Sequence, residues 1–164
     1  VLFAEFSCYI YIYIVVLPNG RKMMNIRLAA KDDCLNVFQL SNMDYVRAHS
    51  FNKEKIVWED HVQWFARAIA DESIKFYIIE DTDFIGQVRL NIVNNIALIS
   101  ISILKEFQHK GIAFSALKKI IAENEYQYLA QVEKDNLPSI TLFERLGFVR
   151  RKEEENYFEY EFKK

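Results

Sequence analysis

Between Ile96 and Asn124 the hydrophobic repeat changes from two residues to the helical period, and the change takes place around one glycine, Gly111. Ile96 to Leu104 alternates as an extended strand does, and an amphipathic helix is predicted from about Gly111 to Asn124. A strand that runs through a tight turn into a helix packs that helix back onto its sheet, so layered α/β architecture is expected. The 164 residues hold only four Gly and two Pro, which leaves little room for linkers or disorder and points to one ordered globular unit.

The periodicity elsewhere agrees. A helix is predicted from Asp32 to about Arg47, capped by Asp32 or Asp33, with Leu35, Phe38 and Met43 on its apolar side. A clearer helix spans Trp58 to Ala70, with Glu59 and Asp60 in its first turn, Val62, Phe65 and Ile69 on one stripe, and His61, Trp64 and Ala68 beside it. Lys75 to Glu80, Phe84 to Ile92 and Ile96 to Leu104 read as a three-strand meander broken at Asp81-Thr82-Asp83 and Asn94-Asn95. A strand from Tyr128 to Glu133, a short helix from Pro138 to Leu146 closed by Gly147, and strands near Phe148 to Arg151 and Tyr157 to Phe162 complete the map. The order predicts a mixed sheet flanked by helices.

The first 22 residues differ from the rest. Phe6 to Leu17 is an apolar run of 12 residues, shorter than the roughly 20 that a spanning helix needs, and its Tyr/Ile alternation from Tyr9 to Ile14 reads as a strand. Pro18-Asn19-Gly20 supplies a turn and Met24 to Ala29 alternates again, so a hairpin is expected. Residues 1–22 are read as an extension carrying an extra strand, with translation starting at Met23 or Met24, and residues 23–164 as one domain. An exposed apolar edge at Tyr9 to Val16 needs a cover or a second subunit, so a homodimer is expected.

Twenty-one basic against 23 acidic side chains give a net charge of −2, which argues against nucleic-acid binding by phosphate neutralisation. Cys8 and Cys34 form no close-spaced motif and the three histidines lie far apart, so neither a disulfide framework nor a metal site is expected. A reducing cytoplasm suits such a chain.

The chemistry concentrates in Gln108-His109-Lys110-Gly111-Ile112-Ala113. A helix start carries backbone amides without intrahelical partners and a partial positive charge, so it suits a pyrophosphate wherever the chain allows close approach. Gly111 allows it, Ala113 keeps the wall small, and Lys110, Lys118 and Lys119 add charge. Alone, the string also fits an ordinary strand-to-helix turn. A second block one strand later, Asn136-Leu137-Pro138-Ser139-Ile140-Thr141-Leu142-Phe143-Glu144-Arg145-Leu146-Gly147-Phe148, changes the weight. Together the two blocks resemble the acyl-CoA-binding motifs of the GNAT superfamily of N-acetyltransferases, over roughly residues 25–162.

That resemblance implies a mostly antiparallel sheet with a splayed strand pair forming a slot for acetyl-CoA, the cosubstrate. Ile101, Ser102 and Ile103 would line the pantetheine arm, Gln108, His109, Lys110, Gly111, Ile112 and Ala113 the pyrophosphate, and Asn136, Ser139 and Phe143 the reaction end. Phe143 stands where many relatives carry a proton-donating tyrosine, and Leu98 where relatives often place a glutamate base. Asn136 near the reaction centre, with an ordered water or a side chain such as Ser100 or Glu80 accepting the proton, makes up the expected catalytic group. Residues 47–52 and 56–65, with Gly86-Gln87-Val88-Arg89 and Ile99-Ser100-Ile101-Ser102, resemble the branch that acetylates amino groups of nucleotide-linked sugars, including those for pseudaminic-acid-type glycans. On that reading Arg47 and Arg89 meet a sugar diphosphate, Trp64 or Phe51 stacks on a sugar or base, and His61 and Trp64 line the acceptor pocket, although Trp64, His61 and the arginines also fit packing or surface roles. The rival readings are a peptide or ribosomal-protein N-terminal acetyltransferase and a non-catalytic acyl-CoA sensor.

Overall fold

The computed structural model describes residues 24–164 and the backbone of a short strand at Ile14–Val15. That strand, β1, pairs antiparallel with β2 (Met24–Leu28), Ile14 opposite Asn25. The rest of the expected N-terminal strand, its Pro18-Asn19-Gly20 turn and the proposed dimer edge lie outside the described residues.

The remaining strands are β3 (Ile74–Glu80), β4 (Phe84–Val93), β5 (Ile96–Ile103), β6 (Gln127–Glu133), β7 (Val149–Glu153) and β8 (Tyr157–Phe162). Among the described residues they form one sheet in the order β1-β2-β3-β4-β5-β6-β8-β7. Only β5 and β6 run parallel; every other ladder is antiparallel. The β4–β5 turn is made by Asn94 and Asn95, whose φ of 49° and 64° are the left-handed values a tight hairpin needs and asparagine tolerates. Gly86 is required for a different reason. A Cβ there would stand 2.4 Å from the Ser102 carbonyl oxygen, so β4 and β5 approach this closely only because it is absent.

Alternation assigns the two faces. Val88, Leu90, Ala97, Ile99, Ile103, Tyr128, Ala130 and Val132 pack under α4 (Ile112–Glu123) and α5 (Leu137–Arg145) in the larger core. α4 buries Ile112, Ala116, Leu117, Ile120 and Ile121, a spacing that keeps one stripe on the sheet. Each of the isoleucines and Leu117 stabilises the layer by about 1.5–3 kcal/mol. On the opposite face, α1 (Cys34–Ser41) and α3 (Trp58–Ala70) cover Phe76 and Ile78 with Val37, Phe65 and Ala68.

Two helical readings are corrected. The helix predicted over residues 32–47 is a 3-10 turn followed by α1 and a separate short helix α2 (Asp44–Ala48). The Asn42 side chain breaks it by bonding outward: Nδ2 donates to the Ile56 carbonyl at 3.0 Å and Oδ1 accepts the Ile56 N–H at 2.8 Å. Its buried side is Val37, Leu40 and Ser41, while Leu35 and Met43 face outward. On α3 the buried stripe is His61, Phe65 and Ala68, and Val62 is exposed.

Candidate functional site: the gap between β5 and β6

Three consecutive rungs join β5 to β6, ending at Leu98 opposite Leu129, although β5 continues to Ile103 and β6 to Glu133. Beyond that point the strands do not pair, and a gap opens toward their C-terminal ends. The Leu104 N–H donates to the Ile85 carbonyl at 2.9 Å. Alternation along the ladder then turns the main chain of Ser102 and Ser100 toward β4 and that of Ile101 and Ile103 toward the gap. The Ile103 carbonyl on this lip accepts the Tyr45 hydroxyl at 3.2 Å and the Gln108 side-chain amide at 3.1 Å. Ser102, expected to hold the pantetheine arm, has its backbone committed to β4.

At the far end of β5 the chain turns into α4 through Gln108 to Gly111. His109 at φ 59° and Gly111 at φ 77° both take left-handed conformations, and a Cβ on Gly111 would meet nothing within 4 Å. Open space therefore faces the glycine. The amides of His109 through Phe114 donate to no acceptor among the described residues, and the first bond back into α4 is made by Ser115 to the Gly111 carbonyl at 3.0 Å. Gln108 is a correction, because its N–H is taken by the Lys105 carbonyl at 3.2 Å. The row of free donors runs from 109 to 114. Lys110 and Lys118 stand exposed beside it, Lys110 over the Phe107 ring at 5.4 Å. An unpaired donor row at a helix start, open in front and with cations alongside, fits a linked diphosphate.

Across the gap, Asn136 caps α5: its Oδ1 accepts the Ser139 N–H at 3.2 Å, and its Nδ2 has no partner among the described residues. Phe143 sits deeper than expected, 3% exposed and edge-on to Phe148 at 5.1 Å. It is a core residue of α5.

The expected base Glu80 is placed elsewhere. It lies on β3, two strands from the gap, where Asn25 donates to Oε1 and Arg27 to Oε2, each at 3.0 Å. Arg27 also forks onto Asp33 at 2.7 and 2.8 Å. Those bonds, the Asp33 ones first, hold the guanidinium charged against the cost of burial. Ser100 is exposed on the α1/α3 face, in the β4–β5 rung with Arg89.

Of the four acceptor residues, three cluster and one stands apart. His61, Trp64 and Arg89 lie in a row, with the tilted rings of His61 and Trp64 5.4 Å apart and the Arg89 guanidinium 5.2 Å from the Trp64 ring. His61 is 1% exposed and bonds the Cys34 carbonyl at 3.1 Å through Nε2, so it is packed rather than presented to a ligand. Burial pushes its pKa down, the carbonyl contact opposing. Burial likewise lowers that of Arg89, whose Nε has no partner among the described residues. Arg47 spends every guanidinium nitrogen on its own loop, reaching the carbonyls of Ser41, Asn52 and Glu54 and the Ser50 hydroxyl at 2.7 to 3.3 Å.

Glu133 and Gln131, which the sequence reading passed over, also lie on the α1/α3 face. Glu133 ends β6 on that face; His49 approaches both it and Asp135, and Lys53 bonds it. Gln131, on the same face, donates to Glu159 at 3.4 Å, and Phe51 meets Tyr157 edge-on at 5.3 Å. The available signal was the alternation in β6, where Gln127, Gln131 and Glu133 interleave with buried Tyr128, Ala130 and Val132.

No helix among the described residues is long and apolar enough to cross a membrane. The chain resembles solved structures in fold. A domain from Methanocaldococcus jannaschii DSM 2661 is 24% identical with a TM-score of 0.75, covering 87% of this chain and 99% of that one. Spermidine N-acetyltransferase from Vibrio cholerae, solved with CoA and spermine, is 19% identical with a TM-score of 0.72, covering 84% and 92%. A putative acetyltransferase from Salmonella typhimurium, solved with its cofactor acetyl-CoA, is 18% identical with a TM-score of 0.70, covering 85% and 93%. No curated protein sequence matches the chain significantly. The family model for the acetyltransferase (GNAT) family matches residues 35–148, which takes in the gap, the free amide row and the α5 cap, and the chain belongs to that family.

Proposed function

We propose that the protein is an acetyl-CoA-dependent N-acetyltransferase whose acceptor is the primary amine of a nucleotide-linked amino sugar. The observation that carries the first part is the pairing of two features on one strand–turn–helix unit: an unpartnered β5 lip at Ile101 and Ile103, and free amides from His109 to Phe114. The lip suits the amides of a pantetheine arm, and the helix start suits the pyrophosphate. The thioester then lies in the gap near Asn136, and the acceptor enters over the α1/α3 face. Attack by a neutral amine expels a thiolate of pKa about 8.5, a leaving group that needs little protonation, so Phe143 in place of a tyrosine is compatible with turnover.

The sugar reading is supported by the lining. Ser100, Ser102, Gln87 and Gln131 offer neutral hydrogen-bonding groups suited to sugar hydroxyls, and the Phe51–Tyr157 edge offers a stacking surface. Arg47 is spent on its own loop and Arg89 is packed against Trp64, so the exposed Lys53 and Lys55, which would exchange their surface carboxylates Glu133 and Asp44 for phosphate, are assigned the diphosphate. The fold likeness to a spermidine acetyltransferase and the carboxylates of Glu133 and Asp135 favour a polyamine as the second reading. Incubation with acetyl-CoA and separate panels of amino-sugar nucleotides, polyamines and peptides, with free thiol as readout, decides among them. Turnover of the sugar nucleotides is expected. Preferential turnover of peptides or polyamines removes the sugar assignment, and tight acetyl-CoA binding with no turnover on any panel favours a sensor.

A further inference from the structure

Tyr45 and His49 stand four residues apart along α2 and its C-terminal cap, a separation that places side chains on one face. They reach opposite lips of the gap. Tyr45 donates to the Ile103 carbonyl on β5 at 3.2 Å. His49 Nδ1 lies 3.4 Å from Glu133 Oε2 and 3.7 Å from Asp135 Oδ1, at the end of β6. α2 therefore bridges the wide end of the gap from the acceptor side. The Glu133 carbonyl accepts the Asn136 N–H at 3.0 Å, so the carboxylate and the α5 cap belong to one turn.

We propose that His49 is the catalytic base and Glu133 the residue that positions it. The assignment rests on the acetyltransferase reading above. It fills a vacancy left by the geometry, since Glu80 is bound by Arg27 and Asn25 two strands away, and Ser100 has no basic side chain bonded to it among the described residues. With Nδ1–H donated to Glu133, the lone pair of Nε2 is available. The amine nitrogen forms a C–N bond to the acetyl carbon while the carbonyl pair moves onto oxygen, and Nε2 takes the N–H proton. The oxygen pair then returns, the C–S bond breaks, and sulfur leaves with its electron pair as the thiolate. The imidazolium gives its proton to solvent. The charged groups facing the ring are Glu133 and Asp135 from the β6–α5 turn, and Lys53, which bonds the Glu133 carboxylate and the Ala48 carbonyl. On its own element, Arg47 directs its nitrogens into the loop.

The test uses the full chain and the variants His49→Gln, His49→Ala and Glu133→Gln. Thiol release from acetyl-CoA is followed between about pH 5 and 9 with a UDP-linked amino sugar, a polyamine and a peptide as acceptors. Acetyl-CoA affinity is measured by calorimetry, and the imidazole tautomer by long-range 15N NMR. His49→Gln is expected to lose about 10²- to 10⁴-fold in kcat and the acidic limb of the pH profile, with acetyl-CoA affinity unchanged. His49→Ala should regain rate with added imidazole. Glu133→Gln should show an intermediate loss and a mixed tautomer in place of Nδ1–H. A His49→Gln enzyme with the wild-type rate and pH profile overturns the base assignment, as does an Nε2–H tautomer in the wild type. A wild type that binds acetyl-CoA but releases no thiol with any acceptor defeats the acetyltransfer reading itself, a result distinct from either.

Discussion

Leu98 and Leu129 form the last rung of the parallel ladder between β5 and β6, and beyond them the two strands no longer pair. The main chain of Ile101 and Ile103 is left without a strand neighbour. Such an edge at the centre of a sheet costs hydrogen bonds unless something completes it. Here Tyr45 and Gln108 serve the Ile103 carbonyl, and the cosubstrate is the partner proposed for the rest.

Gly86 fixes one side of that arrangement. Gly86→Ala forces a Cβ to within 2.4 Å of a backbone oxygen, which neither strand can yield without shifting. A loss of about 1–3 kcal/mol in urea denaturation is expected, together with weaker acetyl-CoA binding because β5 moves. Wild-type stability in the variant contradicts the close approach.

Phe143→Tyr tests whether the missing tyrosine matters. The ring is 3% exposed against Phe148, so a new hydroxyl enters apolar surroundings rather than the gap. The expected result is a destabilisation of about 1–3 kcal/mol and no gain in kcat. A rise in kcat with intact stability places that ring at the reaction centre instead.

His61 supplies a pH dependence with a definite sign. Its folded-state pKa is pushed below the ordinary 6.5 by burial, and Nδ1 is buried without a partner. As pH falls through 6.5 the unfolded chain takes up a proton that the native state refuses, so stability drops until the lowered native value is passed. Denaturation midpoints should therefore fall between about pH 7.5 and 5.5 in the wild type and change less in His61→Phe. Equal slopes in the two proteins contradict the buried neutral imidazole.

The fold was legible where a single period governs a segment. The β3–β4–β5 meander, α3, α4 and the C-terminal end of α5 all follow from alternation, helical stripes and the residues Gly111 and Gly147. The break between α1 and α2 was not, because it depends on the Asn42 side chain choosing Ile56, a partner 14 residues away, over its own helix. The candidate site divides the same way. Backbone features of the turn proposed for the pyrophosphate are local and were visible in six consecutive residues, shifted by one because Lys105 takes the Gln108 amide. Side-chain roles on the acceptor face were not visible. Arg47 and Glu80 are satisfied by their own loop or by partners distant in sequence, His61 is held through Nε2 alone by the Cys34 carbonyl, and His49 meets Glu133 only through the fold, 84 residues apart.

The central claim is that the free amides beginning α4 hold the pyrophosphate of acetyl-CoA, and a 15N–1H correlation titration addresses it residue by residue. Saturable shifts of the His109–Phe114 amides with acetyl-CoA are predicted, weakened in Gly111→Val, where a side chain enters the open space at φ 77°. Unmoved amides in that segment, or saturation unchanged by the valine, contradict the account.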